Sequence, residues 1–183
     1  LSPVAAILAG MSIDVALGDL TREPADALVN AANSTLLGGG GVDGALHAAA
    51  GPALLEACRR IRRTQWPDGL PVGEAVATGA GNLPARWVIH TVGPNRHRGQ
   101  ADEGLLASCY TRSLDVAGQL GAHSVAFPAI GAGAYGWDAP TAARVAVATV
   151  AAHPRAGIDR VRFVLFTQRL YDAFRAELAG LDA

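Results

Sequence analysis

Apolar runs alternate with helix-like stretches along the whole chain, and this alternation restricts the possible folds more than any other feature. Strand-like runs span Ile13 to Leu17, Ala27 to Ala31, Glu74 to Thr78, Trp87 to Val92, Ser124 to Ile130 and Val161 to Phe166. Helix-like segments lie between them, at Val42 to Ala50, Pro52 to Arg63, Glu103 to Leu120, Ala139 to His153 and Arg169 to Leu178. Several have a Gly or Pro just past the end, where helices stop. The apolar runs do not alternate cleanly with polar residues, so the strands should be buried on both faces. Strands that alternate with helices then predict an α/β fold, a largely parallel sheet in a three-layer sandwich. No repeat, low-complexity tail or Ser/Pro-rich linker divides the sequence, and 183 residues at 50% hydrophobic and 17% charged suit one domain. That domain is expected to occupy 1–183, with its core at about 11–180.

A formal net charge of −1 gives no overall attraction to nucleic acid or to an anionic membrane, so an anionic ligand would have to be held locally. Cys58 and Cys109 have neither metal-ligand spacing nor a disulfide framework, which fits a reducing cytoplasm. The N-terminal PVAAILAGM is apolar but short, lacks a basic flank and runs into Ser12 and Asp14; it reads as neither a signal peptide nor a membrane span. Arg59, Arg60, Arg62 and Arg63 read as a solvated helix end that complements the helix dipole, with nucleic acid or an acidic partner as the alternative contact.

Two glycine-rich loops stand out. NAANSTLLGGGGVDGALHAAAG (Asn30 to Gly51) places Gly38 to Gly41 between a predicted strand and a predicted helix, as a strand-to-helix turn and not as a linker. IGAGAYGWD repeats the arrangement after the Ser124 strand, with Gly131, Gly133 and Gly136. Loops at the carboxyl ends of strands in such sheets converge on a ligand cleft. There, main-chain N–H groups and the helix dipole can hold phosphate without lysine. The glycines of the second loop satisfy G-x-G-x-x-G, but too late in the chain for a dinucleotide fold, and Asp159 begins the next strand where the acidic residue should end it. A nucleotide-dependent oxidoreductase is therefore disfavoured. A Walker loop fails because Trp137 and Asp138 replace its Lys and Ser/Thr.

ALVNAANSTLLGGGGVDGALHAAAG, LPARWVIHTVGP and AFPAIGAGAYGWD, in that order and preceded by GDLT, resemble the macro domain, in particular the MacroD-type group that hydrolyses ADP-ribose linkages. The resemblance runs from about Ile13 to the last helix. It implies an α/β/α sandwich with a mixed central sheet and an ADP-ribose cleft. Asp19 of GDLT would accept from the adenine amino group, a role suited to an acceptor-only carboxylate, with the Leu20 amide beside it. Gly39, Gly40, Gly41 and Val42 would wrap the distal ribose. Gly131, Ala132, Gly133, Ala134 and Tyr135 would hold the diphosphate, with Tyr135 packing on that ribose. Asn33 would bond the ribose hydroxyls, and Asn30 would brace the loop.

By the same resemblance Asp43 matches the catalytic Asp: it would orient or deprotonate a water that attacks an ester of ADP-ribose, a task the diphosphate could share. An Asp in the first helical turn also suits capping, and the helix dipole is expected to lower its pKa. His47, one turn on, reads as packing. The implied activity is removal of mono-ADP-ribose from Glu or Asp side chains of proteins, or O-acetyl-ADP-ribose deacetylation, by a cytoplasmic monomer without metal or cofactor. The alternative is a module that reads ADP-ribose without turning it over. The sequence departs from the family in having Gly131-Ala132-Gly133 for Ser-Thr-Gly, and Asp138 where Pro is usual.

Overall fold

In the computed structural model, which describes residues 5–8, 10–154 and 157–181, seven strands form one sheet. They are β1 (Ala5–Leu8), β2 (Met11–Leu17), β3 (Ala27–Ala32), β4 (Ala75–Gly79), β5 (Trp87–Val92), β6 (Ser124–Phe127) and β7 (Arg160–Leu165). The helices are α1 (Gly41–Ala50), α2 (Pro52–Thr64), α3 (Glu103–Leu120), α4 (Ala139–Ala152) and α5 (Gln168–Gly180). The sheet order is β1-β2-β7-β6-β3-β5-β4. The five inner strands are mutually parallel, and β1 and β4 pair antiparallel at the two edges. The sheet is thus mixed and largely parallel, as expected.

The expected strands all form, with β6 stopping at Phe127 instead of Ile130. Pro128 has no N–H to continue the ladder, and the chain turns there. β1 was not foreseen. All four of its residues are apolar, so it shows no alternation by which a half-buried strand is read, although Ala6 is buried and Leu8 packs on the core while Ile7 is exposed. Residues 1–4 and 9 of the apolar N-terminal stretch lie outside the described residues. No helix among the described residues is long and apolar enough to cross a membrane.

Alternate side chains of each strand feed opposite layers. Val15, Val29, Phe127 and Phe163 pack with Tyr110, Leu114, Val147 and Phe174 of α3 to α5. Leu28, Val88, Ala126 and Val164 pack with Leu46 and Leu54 of α1 and α2 on the other side. The first core centres on an aromatic group, with Tyr110 5.1 Å from Phe127 and Phe163 5.0 Å from Phe174 between ring centres. Each such ring contributes roughly 1.5 to 3 kcal/mol by leaving water. Tyr110 also reaches the site, since its hydroxyl accepts from the Ile130 amide at 3.1 Å, just before the second glycine turn.

Helix starts follow their caps. Asp102 accepts from the Gly104 amide at 2.7 Å to open α3, and Asp138 accepts from the Thr141 amide at 3.0 Å to open α4. Asp138, a departure from the family pattern, therefore has a local structural role. α1 has no side-chain cap, so its first amides remain available.

Candidate functional site

The carboxyl ends of β2, β7, β6 and β3 share one edge of the sheet and open on a cleft of about 710 Å³. Asp19 and Leu20 after β2, Gly41, Val42 and Ala45 of α1, Ala132 and Gly133 of the second glycine turn, and Phe166 after β7 all line it. The two glycine turns therefore face a common crevice, with Asp19 beside them.

At one end, Asp19 Oδ1 accepts from the Thr21 amide at 2.9 Å and from its hydroxyl at 2.7 Å, capping a short 3-10 turn at Leu20–Arg22. Its second oxygen has no partner among the described residues. Phe166, 81% exposed, lines the same cleft. Sequence reasoning placed Phe166 in a strand and missed it. It stands one residue past the end of β7, and the carboxyl end of a parallel strand was the available signal. Thr167, Arg169 and Leu170 complete this wall and were missed likewise.

The second turn is held open by contacts around Trp137. Its indole N–H donates to Pro94 O at 2.8 Å, and the Arg96 amide donates to Tyr135 O at 2.9 Å. Gly131 has φ +80°, and a β-carbon there would lie 2.6 Å from the Trp137 ring. Only glycine fits. Gly133 faces open space. Tyr135 and Ala134 lie outside the cleft lining, as does Gly131, and Tyr135 is half-buried against the large core.

The first turn is braced by Asn33, whose Nδ2 donates to Gly38 O at 3.0 Å while Oδ1 accepts from the Thr35 amide at 3.0 Å. Loop bracing was expected of Asn30; Asn33 does it here. Arg62, expected to be solvated with its arginine neighbours, instead donates to Thr35 O at 2.8 Å, Trp66 O at 2.9 Å and Pro67 O at 3.1 Å. That fork ties the end of α2 to the turn.

A β-carbon on Gly39 would meet Asp43 Oδ2 at 3.1 Å and Asn33 Nδ2 at 3.2 Å. Asn33, Gly39 and Asp43 are thus gathered behind the turn and, with Gly40, lie outside the lining of the cleft itself. The close fit extends to Gly44, where a β-carbon would stand 2.5 Å from Gly39 O. Asp43 is only 4% exposed. It caps nothing: its Oδ1 accepts from Asn30 Nδ2 at 2.9 Å and lies 3.4 Å from His47 Nε2. Burial pushes its pKa up, opposed by the Asn30 hydrogen bond and by His47, which reverses the downward shift expected from the helix dipole. His47 therefore borders the carboxylate and is not merely packing.

Behind Asn30 lies His90, fully buried on β5, with Nδ1 3.1 Å from Asn30 Nδ2 and Nε2 3.0 Å from Thr78 Oγ1. Burial, and then the nearby His47 ring, lower its pKa to about 3. The Cys58 thiol, 3.6 Å from Nε2, is pushed up to about 12 by burial and by Asp43. Neither cysteine is disposed to react.

A sequence model of the macro domain matches residues 29–146, which hold both glycine turns and Asp43. The chain belongs to the macro domain family. Along its sequence this macro domain is 57% identical, over 91% of its length and 92% of the relative, to the "Macro domain-containing protein in sno 5'region" of Streptomyces nogalater. It is 52% identical to a protein of Citrobacter koseri named O-acetyl-ADP-ribose deacetylase, over 87% of this chain and 93% of that one. Among solved structures, the Oceanobacillus iheyensis macrodomain with ADP superposes with a TM-score of 0.93 at 37% identity, covering 99% of this chain and 97% of that one. The macro domain cleft described above combines main-chain donors, an exposed ring, an acceptor carboxylate at one end and a second, buried carboxylate behind one wall.

Proposed function

We propose that this macro domain binds ADP-ribose along the cleft and hydrolyses acyl esters of its distal ribose. The second oxygen of Asp19 accepts from the adenine amino group with the Leu20 amide alongside, and Phe166 offers its face to the base. Amides of Gly131, Ala132, Gly133 and Ala134, with the start of α1, hold the diphosphate without a cation. Gly39, Gly40, Gly41, Val42 and Tyr135 shape the distal ribose site, and Asn33 bonds its hydroxyls. The similarity to proteins named O-acetyl-ADP-ribose deacetylase supports the ester chemistry.

One observation carries the reading: Asp43 is fixed by Asn30 through one oxygen, and its other oxygen lies behind Gly39 beside Asn33 without a partner among the described residues. That oxygen takes a proton from a water that attacks the acyl carbon. The bond between that carbon and the ribose oxygen breaks, and Asp43 returns the proton to the ribose. ADP-ribose and a free carboxylic acid leave. The acid is acetate for O-acetyl-ADP-ribose, or the Glu or Asp side chain of a modified protein. A monomer suffices, because every group named belongs to one chain.

The test compares wild type with Asp43→Ala on a protein carrying labelled ADP-ribose on glutamate and on O-acetyl-ADP-ribose, with calorimetric ADP-ribose affinity in parallel. Release should fall about a hundredfold or more in the variant while affinity holds. Tight binding by wild type with no release from either substrate would establish a reader and overturn the hydrolytic reading.

A further inference from the structure

Behind Asp43 runs a polar row through three adjacent strands, of which the hydrolytic scheme uses only the first member: Asn30 on β3, then His90 on β5 and Thr78 on β4. Asn30 and His90 stand opposite each other in the β3–β5 register. Both are fully buried, where a polar side chain without a role is costly.

The hydrogen bonds fix which atom is which. The Thr78 hydroxyl donates to Gly79 O at 2.9 Å, so its oxygen can only accept from the ring nitrogen 3.0 Å away. His90 therefore carries its proton on Nε2, given to the Thr78 oxygen with the Cys58 sulfur 3.6 Å away as a weaker second neighbour, and presents a bare lone pair at Nδ1. The Asn30 atom 3.1 Å from that lone pair must be the amide nitrogen, and the same nitrogen gives its other proton to Asp43 Oδ1 at 2.9 Å. Turned over, Asn30 would set its oxygen against the His90 lone pair and the Asp43 carboxylate at once. In the orientation seen, Asn30 Oδ1 is left buried without a hydrogen-bond partner among the described residues. This orientation thus strands an acceptor, and His90 imposes it together with the Asp43 carboxylate.

We infer that His90 is a positioning residue for Asp43: its Nε2–H tautomer, set by Thr78, orients the Asn30 amide that holds the carboxylate. The kinetic consequence rests on the hydrolytic reading above; the effect on Asp43 itself does not. The other titratable groups around Asp43 are His47 on its own helix and Cys58 on α2, whose sulfur lies 3.6 Å from His90 Nε2; among the described residues the Asn30 side chain hydrogen-bonds only Asp43 and His90.

The experiment pairs a carbon-13 titration of the Asp43 carboxyl in the free protein with kcat and KM for O-acetyl-ADP-ribose as a function of pH. His90→Phe removes the acceptor and keeps ring bulk. Thr78→Val frees the tautomer with a strand-compatible isostere and guards against a folding failure at His90. His90→Asn puts an amide oxygen close to where Nδ1 stood. In the first two the Asp43 carboxyl should titrate at higher pH, because the lowering Asn30 bond is lost. The acid limb of kcat should move up with it, and kcat should fall about ten- to a hundredfold with KM nearly constant. His90→Asn should recover both. An Asp43 titration unmoved in both His90→Phe and Thr78→Val, a loss of affinity in step with kcat, or a His90→Asn no better than His90→Phe would overturn the inference. A wild type without turnover would sink the hydrolytic reading alone, leaving the titration to decide this one.

Discussion

Burying the Asp43 carboxylate behind Gly39 strips most of its water, and neither Asn30 nor His47 reverses the resulting rise in its pKa above 3.8. An acid whose pKa is higher folded than unfolded binds more protons when folded, so stability falls as pH rises through the window between the two values. The ionised carboxylate that the chemistry needs is thus held at a cost to the fold. Asp43→Asn retains an oxygen for the Asn30 amide and carries no charge. It should melt at a higher temperature than wild type at pH 7, with the gap closing toward pH 4, while ester hydrolysis drops about a hundredfold or more. Thermal melts across pH check the first, and substrate turnover the second. The identities of Asn33 and Asp43 were legible because a motif records side-chain type. Their depth was not, since it depends on how closely α1 seats on the turn, through Gly44 against Gly39 O. His90 was illegible for a related reason: a histidine inside an apolar run looks like packing until its neighbours on β3 and β4 are known.

The two glycine turns illustrate the difference between a glycine that a backbone requires and one that a ligand requires. Gly131 adopts φ +80° against the buried Trp137 ring, whereas Gly133 has neither a positive φ nor a neighbour near its missing β-carbon. Gly131→Ala should cost about 2 to 4 kcal/mol through strain and overpacking. Gly133→Ala should change stability by less than about 0.5 kcal/mol. Its methyl would instead enter the cleft that Gly133 lines, and ADP-ribose affinity should weaken about tenfold or more. Urea unfolding and calorimetry on the pair separate the two roles, which the bare spacing G-A-G does not. Elements with strong apolar periods, such as α3 and β5, were legible throughout. β1 was not, because its uniformly apolar residues show no alternation, and it is the antiparallel ladder to β2 that defines it as a strand. Arg62 was misread for want of the three carbonyls that α2 brings within its reach.

At the scale of the molecule, the cleft is only as rigid as the join between β2, which delivers Asp19, and β7, which delivers Phe166. Asp14 and Arg162 are direct partners in that register, and Arg162 grips Asp14 through two hydrogen bonds of 2.8 and 2.9 Å. A third, at 3.0 Å, runs to Glu23, the residue that closes the 3-10 turn begun by Asp19. The guanidinium pKa is raised above its ordinary value chiefly by the Asp14 hydrogen bond, so it stays charged at any working pH. Asp14 is 6% exposed, and removing its partner would leave a buried charge unpaired. Arg162→Met should therefore cost about 3 kcal/mol in urea unfolding. It should also loosen the Asp19 turn, weakening ADP-ribose binding more than it slows the hydrolysis of bound ester. Replacing the pair together, Asp14→Leu with Arg162→Met, removes the orphaned charge and should recover much of that stability. It should not recover the affinity, because among the described residues Arg160, at 3.3 Å, is then the one side chain left to hold the Glu23 carboxylate. Stability and affinity returning together would mean that the turn is held by its own Asp19 cap and not by the strand join.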